Sequence, residues 1–313
     1  MTKIQARNRL YLLLVAIVIG LLAPLVVYPV FLMKILCFAL FACAFNLLLG
    51  FTGLLSFGHA AFFGGAAYVT GHALSVWGLP FELGILAGTL AATVMGAIVG
   101  KLAIRRQGIY FAMVTLALAQ LIYFLCLQAP FTGGENGQQG IPRGFALGIL
   151  DLSNNTTLYY VVLVIFALGF GLVYRVINSP FGQVLKAVRE NEPRAISLGY
   201  DTDRVKLTAF IVSSALAGLA GATKAVVFQL ASLTDVHWHM SGEVVLMTLL
   251  GGVGTLIGPV VGAGVVVTLQ NTLSSGPLNA YVPVVLGGIF VVCVLAFRRG
   301  IVGEIKALIK QSF

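Results

Sequence analysis

"LLGGVGTLIGP", residues 249–259, sets four glycines and a proline inside an apolar region running from 243 to 272. Glycine and proline weaken helix and permit a sharp backbone reversal. The region therefore reads as a hairpin, either two crossings or a re-entrant loop, rather than one long helix. Bare backbone in hydrocarbon leaves polar groups unpaired at several kcal/mol each, so the reversal must face protein or a water-filled path.

Composition places the chain in a membrane. Hydrophobic residues make up 59% of it, charged residues 9%, and the mean hydropathy is +1.01. Apolar runs of about twenty residues recur, each long enough to cross a hydrocarbon core about 30 Å thick. Predicted spans are 10–28, 30–49, 60–77, 81–100, 108–128, 158–175, 207–230 and 281–297. Cys37, Cys43, Cys126 and Cys293 all fall in apolar segments, where they read as small hydrophobes rather than disulfide or metal partners. Lys3, Arg7 and Arg9 precede the first long run, and no small-x-small cleavage site follows promptly. That pattern reads as a retained helix and not a removed leader.

Charge fixes the expected topology. The net charge of +9 is spread over short connections and forms no basic domain, which argues against a nucleic-acid partner. Sixteen of the nineteen Lys and Arg residues lie in four places: the N-terminus, 101–106, 175–206 and 298–310. The positive-inside rule puts all four in the cytoplasm. Both chain termini are then cytoplasmic, and the count closes only if 243–272 starts and finishes on the same side. The expected fold class is all-α: a polytopic transmembrane helical bundle of about 9–10 crossings with glycine-broken helices. It is one domain over 1–313, with an outer loop at about 129–157 and a cytoplasmic segment at about 178–206.

A second segment resembles the first. "LLGFTGLLSFG", residues 48–58, shares the pattern L-L-G-x-x-G-x-L with 249–256. A weak internal repeat with one broken helix in each half points to the path through a transport protein.

The cytoplasmic segment is densely charged. "VRENEPRAISLGYDTDRVK", residues 188–206, carries eight charges in nineteen positions. At the bilayer centre each would cost roughly 3 kcal/mol, so the island lies in water. "SPFGQVLKAVREN" opens with a Ser-Pro helix entry, interleaves Val184, Leu185 and Val188 with charges, and ends before Pro193. "RAISLG" makes a second short apolar-faced turn that Gly199 can stop. Two short amphipathic helices across the cytoplasmic face suit a docking surface better than a loop resting on lipid headgroups.

"NLLLGFTGLLSFGHAAFFGGAAYV" (46–69), "SPFGQVLKAVRENEPRAISLGYD" (179–201), "AFIVSSALAGLAGA" (209–222) and "VLMTLLGGVGTLIGPVVGA" (245–263) closely resemble the LivM-type permease of bacterial branched-chain amino acid ABC importers. The resemblance implies a bacterial inner-membrane protein that pairs with a LivH-type permease as a heterodimer. It also implies two cytoplasmic ABC ATPases and a periplasmic or lipid-anchored substrate-binding protein, with membrane lipid around the helices. Glu192, Ala195 and Gly199 match the short E-A-A…G-like coupling segment of importer permeases, in a looser form because Pro193 lies within it. Lys186, Arg189, Glu190 and Arg194 complete the expected ATPase-coupling surface.

Other chemistries find little footing. No G-x-x-x-x-G-K-[ST] loop occurs, so the energy source is a partner and the chain is not itself an ATPase. Gly252, Gly254 and Gly258 mimic a dinucleotide fingerprint with one spacing too long, and no cofactor is expected. An intramembrane hydrolase would need G-x-S-x-G, G-x-S-G or H-E-x-x-H, none of which is present. An ion-coupled carrier usually places Asp or Glu within a span, whereas Glu82, Asp235 and Glu243 fall at predicted span ends. His237 and His239 flank Trp238 and read as an interfacial belt rather than a metal site. For the substrate pathway, the polar groups at the first break are Asn46, Thr52, Ser56 and His59, with Gly251, Gly254 and Gly258 at the second. Lys224 is expected to snorkel outward, and Glu243 is a candidate to meet the binding protein or an amino group at the outer mouth. Urea or short amides remain alternative cargo.

Overall fold

The structure is a computed structural model and describes residues 20–146, 148–274, 284–285, 287–289, 291 and 300–304. Predicted spans 10–28 and 281–297, and both chain ends, lie largely outside the described residues. The helices described are α1 (Pro29–Thr52), α2 (His59–Ser75), α3 (Phe81–Ala103), α4 (Ile109–Gln128) and α5 (Asn155–Asn178). They continue with α6 (Pro180–Glu190), α7 (Glu192–Ser197), α8 (Thr202–Phe228), α9 (Leu233–Val236), α10 (Trp238–Gly251) and α11 (Gly258–Ser274). Among these, α1, α3, α4, α5 and α8 are each long and apolar enough to cross a membrane.

Burial separates the inside of the bundle from its lipid face. Along their most apolar windows α1 and α8 are 72% and 78% buried, against 28% and 22% for α4 and α5. The exposed side chains of α4 and α5, among them Leu121, Phe124, Leu125, Val164 and Leu168, are those that lipid tolerates. Lipid tails are as apolar as leucine, so helices associate through close packing and interhelical hydrogen bonds instead. The small residues of "ALAGLAGA" (215–222) let α8 reach α1, α2 and α3. A Cβ at Gly221 would overlap the Phe63 carbonyl, so the α8 and α2 backbones touch there.

Helix ends follow local chemistry. Pro29 occupies the first turn of α1, where its missing N–H costs nothing. Gly53, with φ +77°, ends α1 in the left-handed region, its N–H donating to the Leu49 carbonyl at 3.2 Å. Ser179 caps α6 by accepting from Gly182 N–H at 3.3 Å, and Asn191 caps α7 by accepting from Arg194 N–H at 3.1 Å. The two expected short amphipathic helices of the charged 178–206 segment are therefore α6 and α7, with Leu185, Val188 and Ala195 buried. The 243–272 region is a pair of helices, α10 and α11, joined by a non-helical turn.

Lys224 does not snorkel. It is 8% exposed, and its Nζ donates to Asp235 Oδ2 at 2.6 Å. The chain reverses just after α8 at Gln229, whose φ is +53°, and α9 brings Asp235 back against Lys224. Ser232 adds a backbone N–H at 3.2 Å and a hydroxyl at 3.1 Å to the same carboxylate oxygen. The 129–157 segment is tied to this reversal. Strand β1 (Gln138–Gln139) pairs antiparallel with β4 (Leu230–Ala231), and β2 (Phe145–Ala146) pairs with β3 (Leu150–Asp151). Arg143 clamps it with bonds of 2.8 Å to Asn155 Oδ1 and to the Val227 carbonyl.

Candidate functional site

The two L-L-G-x-x-G-x-L segments meet. Each ends a helix: α1 stops after Thr52 and α10 after Gly251. The second glycine of each motif is left-handed, with φ +77° at Gly53 and +73° at Gly254, a region closed to most side chains. Asn46 brackets the turn of the other motif. Its Nδ2 donates to the Thr255 carbonyl at 2.8 Å, and its Oδ1 accepts from Gly254 N–H at 2.9 Å. One amide thus satisfies two backbone groups that a non-helical turn would otherwise leave unpaired. A Cβ at Gly50 would lie 2.6 Å from Gly254 N, so the joint closes only with glycine there.

Helix α6 reaches into this joint from the charged 178–206 segment. Nη1 of Arg189 donates to the Gly50 carbonyl, and the Arg189 Cγ lies 3.2 Å from where a Cβ on Gly53 would stand. Lys186, one turn earlier, holds its ammonium 5.9 Å from the Phe51 ring centroid. Both cations belong to the expected ATPase-coupling surface, and their polar ends engage the end of α1. Glu192 also turns inward: Oε1 accepts from Lys206 Nζ and, at 3.1 Å, from Thr202 Oγ1, tying α7 to the base of α8. Gln107 adds a 3.4 Å bond to Oε2. Ala195 is buried, whereas Glu190, Arg194 and Gly199 are exposed.

The remaining pathway candidates are placed as follows. Gly251 ends α10 with no room for a Cβ beside the Gly258 carbonyl, and Gly258 N–H donates to Thr255 Oγ1 at 3.1 Å. Thr52 returns its hydroxyl to the Leu48 carbonyl at 2.5 Å, and Ser56 accepts from Gly58 N–H at 3.1 Å, so both serve their own turn. His59 is fully buried among Phe45, Phe62 and Phe210, with Nε2 2.8 Å from Ser213 Oγ. Ser213 gives its proton to the Ala44 carbonyl at 2.5 Å, so in the neutral ring His59 donates through Nε2 and binds α2 to α8 and α1. The structure joins Asn46, Gly251, Gly254 and Gly258 with Arg189, and leaves Thr52, Ser56 and His59 on the α1–α2 side.

Ile196 and Leu198 of the expected apolar-faced turn are exposed, and Tyr200 beside them went unread. Ile196, Leu198 and Tyr200 are 55%, 69% and 45% exposed on the charged segment. The signal was in "AISLGY" (195–200), an apolar cluster amid charge that a two-turn helix cannot bury. With Glu190 and Arg194 they form an apolar knob edged by charge, which is suited to a protein groove.

Comparison with known proteins follows the same lines. The family model for the permease component of the branched-chain amino acid transport system matches residues 27–294. The high-affinity branched-chain amino acid transport system permease protein LivM of Salmonella typhimurium is 28% identical over 289 residues, covering 85% of this chain and 67% of that protein. LivM of Escherichia coli is 28% identical over 288 residues with the same coverage. The permease protein LivH of Salmonella typhimurium is 25% identical over 290 residues, covering 85% of this chain and 91% of that protein. No solved structure matches the chain.

Proposed function

The chain belongs to the family of branched-chain amino acid transport permease components, and from that premise we propose that it forms the membrane path of an ATP-binding cassette importer for branched-chain amino acids. It is an integral membrane permease component and not an enzyme. Family membership implies ATPase and binding-protein partners. In the fuller reading the second permease is LivH-type, two ATPases dock in the cytoplasm, and a periplasmic or lipid-anchored protein delivers the amino acid. The protein then lies in a bacterial inner membrane with both termini inside.

The observation that carries the mechanism is the bond from Arg189 to Gly50. On this reading Glu190, Arg194, Ile196, Leu198 and Tyr200 meet the ATPase, while Lys186, Arg189 and Glu192 transmit its movement inward. Closure of the ATPases on ATP shifts α6, and Arg189 moves the end of α1. The glycine joint of Asn46, Gly50, Gly251, Gly254 and Gly258 then opens or closes the inner end of the path. Packed interfaces switch between discrete arrangements rather than deforming continuously, and a joint of bare backbone turns is a suitable place for one. Reconstitution with ATPases, LivH-type permease and binding protein tests this: leucine uptake should require ATP and every partner. Uptake by the chain alone, driven by an ion gradient, would overturn it.

A further inference from the structure

The Lys224–Asp235 pair lies at the end of the bundle away from α6 and α7. Thr202 begins α8 beside Glu192 of α7, and Lys224 stands about 33 Å further along that helix. Both charges are buried and meet at 2.6 Å. Taking two charges out of water offsets much of what their attraction returns, so a buried pair adds little net stability. Its best-attested use is to fix which arrangement a segment adopts. The segment fixed here is α9.

Helix α9 is a separable piece. Its four residues, Leu233–Val236, are too few to hold a helix by themselves. Non-helical backbone bounds it on both sides, left-handed at Gln229 and extended at Ser232 and His237, so it can be displaced without unwinding α8 or α10. Its anchorage converges on one atom: Asp235 Oδ2 accepts from Lys224 Nζ and from the Ser232 N–H and hydroxyl. On its other side it is seated against bare α2 backbone, where a Cβ at Gly64 would stand 2.6 Å from Val236 N and 2.7 Å from the Asp235 carbonyl carbon. Val236 is buried there, whereas Thr234, Trp238 and His239 are exposed. The segment therefore stands where the packed core meets open space.

Helix α10 links this segment to the glycine joint. It has fourteen residues, about 21 Å, with extended His237 at one end and Gly252, φ +119°, at the other. Between them Ser241 Oγ accepts from Ala60 N–H at 3.0 Å, which rests α10 on the first turn of α2. A stiff helix with a non-helical joint at each end carries a shift at Gly251 through to α9.

We propose that α9 is a plug at the end of the path away from the ATPases, latched by Lys224–Asp235 and driven through α10 by the glycine joint, so that the two ends of the path open in turn. Lys224 and Asp235 act by holding α9 and do not touch the amino acid. The inference rests on the permease reading above.

The test uses the complete complex in nanodiscs, where nucleotide and reagent reach both faces. Val236→Cys combined with Cys293→Ser puts a thiol on the buried face of α9, and labelling of this chain by a membrane-impermeant maleimide is timed without nucleotide and with ATP held on hydrolysis-inactive ATPases. The two rates should differ at least fivefold. Leu233→Cys, half-buried on the same helix, gives a second reading with the same expectation, and gel filtration confirms assembly of each variant. Adding Lys224→Met with Asp235→Asn frees the plug and should bring the two rates within twofold of each other, while Lys224→Arg should keep them apart. Rates within twofold at both thiols with the latch intact overturn the plug. A fivefold difference that survives Lys224→Met with Asp235→Asn overturns the latch, because a merely structural pair leaves that difference in place. Leucine uptake in proteoliposomes separates the two claims: uptake by the unaltered complex with equal labelling rates sinks the plug alone, and no uptake sinks the permease reading and the plug that rests on it.

Discussion

Gly50→Ala bears directly on the glycine joint. The added methyl would overlap Asn46 Oδ1 and stand 2.6 Å from Gly254 N and 2.9 Å from Gly254 Cα. Two of these three neighbours are backbone and cannot rotate away. Overpacking of this kind costs about 1–3 kcal/mol. Displacing Asn46 also forfeits its 2.9 Å bond to Gly254 N–H, worth about 1 kcal/mol net. Against this, alanine is favoured over glycine in a helix by about 1 kcal/mol. The net expectation is destabilisation of about 1–3 kcal/mol, seen as a lower midpoint for loss of the monodisperse gel-filtration peak on heating. Leucine uptake should fall with it. Gly264→Ala is the control: that glycine lies within α11 and a Cβ there meets nothing within 4 Å. It should be neutral or stabilising by up to about 1 kcal/mol. A Gly50→Ala complex that melts at or above the normal temperature and transports normally would refute the reasoning.

Arg189→Met removes the charged donor to Gly50; such bonds are worth about 1.5–3 kcal/mol, toward the low end at an exposed site. About tenfold less leucine should be moved per ATP hydrolysed, with assembly intact on gel filtration. Lys224→Met leaves the Asp235 carboxylate buried and unpaired, which costs about 3–5 kcal/mol. The double variant with Asp235→Asn should be more stable than the sum of the two single losses in a thermal double-mutant cycle. Ile196→Ser with Leu198→Ser alters residues 55% and 69% exposed. The permease should keep its melting point while co-purifying markedly less ATPase.

Sequence reading went furthest where hydropathy and turn chemistry act locally. The predicted spans at 81–100 and 108–128 became Phe81–Ala103 and Ile109–Gln128, and the glycine break became the turn between α10 and α11. The start of α8 was set five residues late, because "TDRVK" (202–206) is too polar to read as a span although Asp201 caps it and Thr202 and Lys206 anchor that first turn to Glu192 of α7. Lys224 was misjudged because its partner is recruited by the left-handed turn at Gln229, which apolar periodicity does not register. The bonds of the joint were out of reach for another reason. Asn46 and Thr255 are 209 positions apart, and Arg189 and Gly50 are 139 apart. The shared L-L-G-x-x-G-x-L pattern hinted at kinship between the two breaks but not that they touch.

The central claim is that α6 and α7 stand on the cytoplasmic face, where an ATPase can push on them. Leu198→Cys combined with Cys293→Ser tests it most directly, since Leu198 is 69% exposed and, among the described residues, Cys37, Cys43 and Cys126 are buried. A membrane-impermeant maleimide should label that position in inside-out vesicles, show protection when ATPase is bound, and leave right-side-out vesicles unlabelled. Labelling in right-side-out vesicles would place the segment outside the cell and contradict the mechanism.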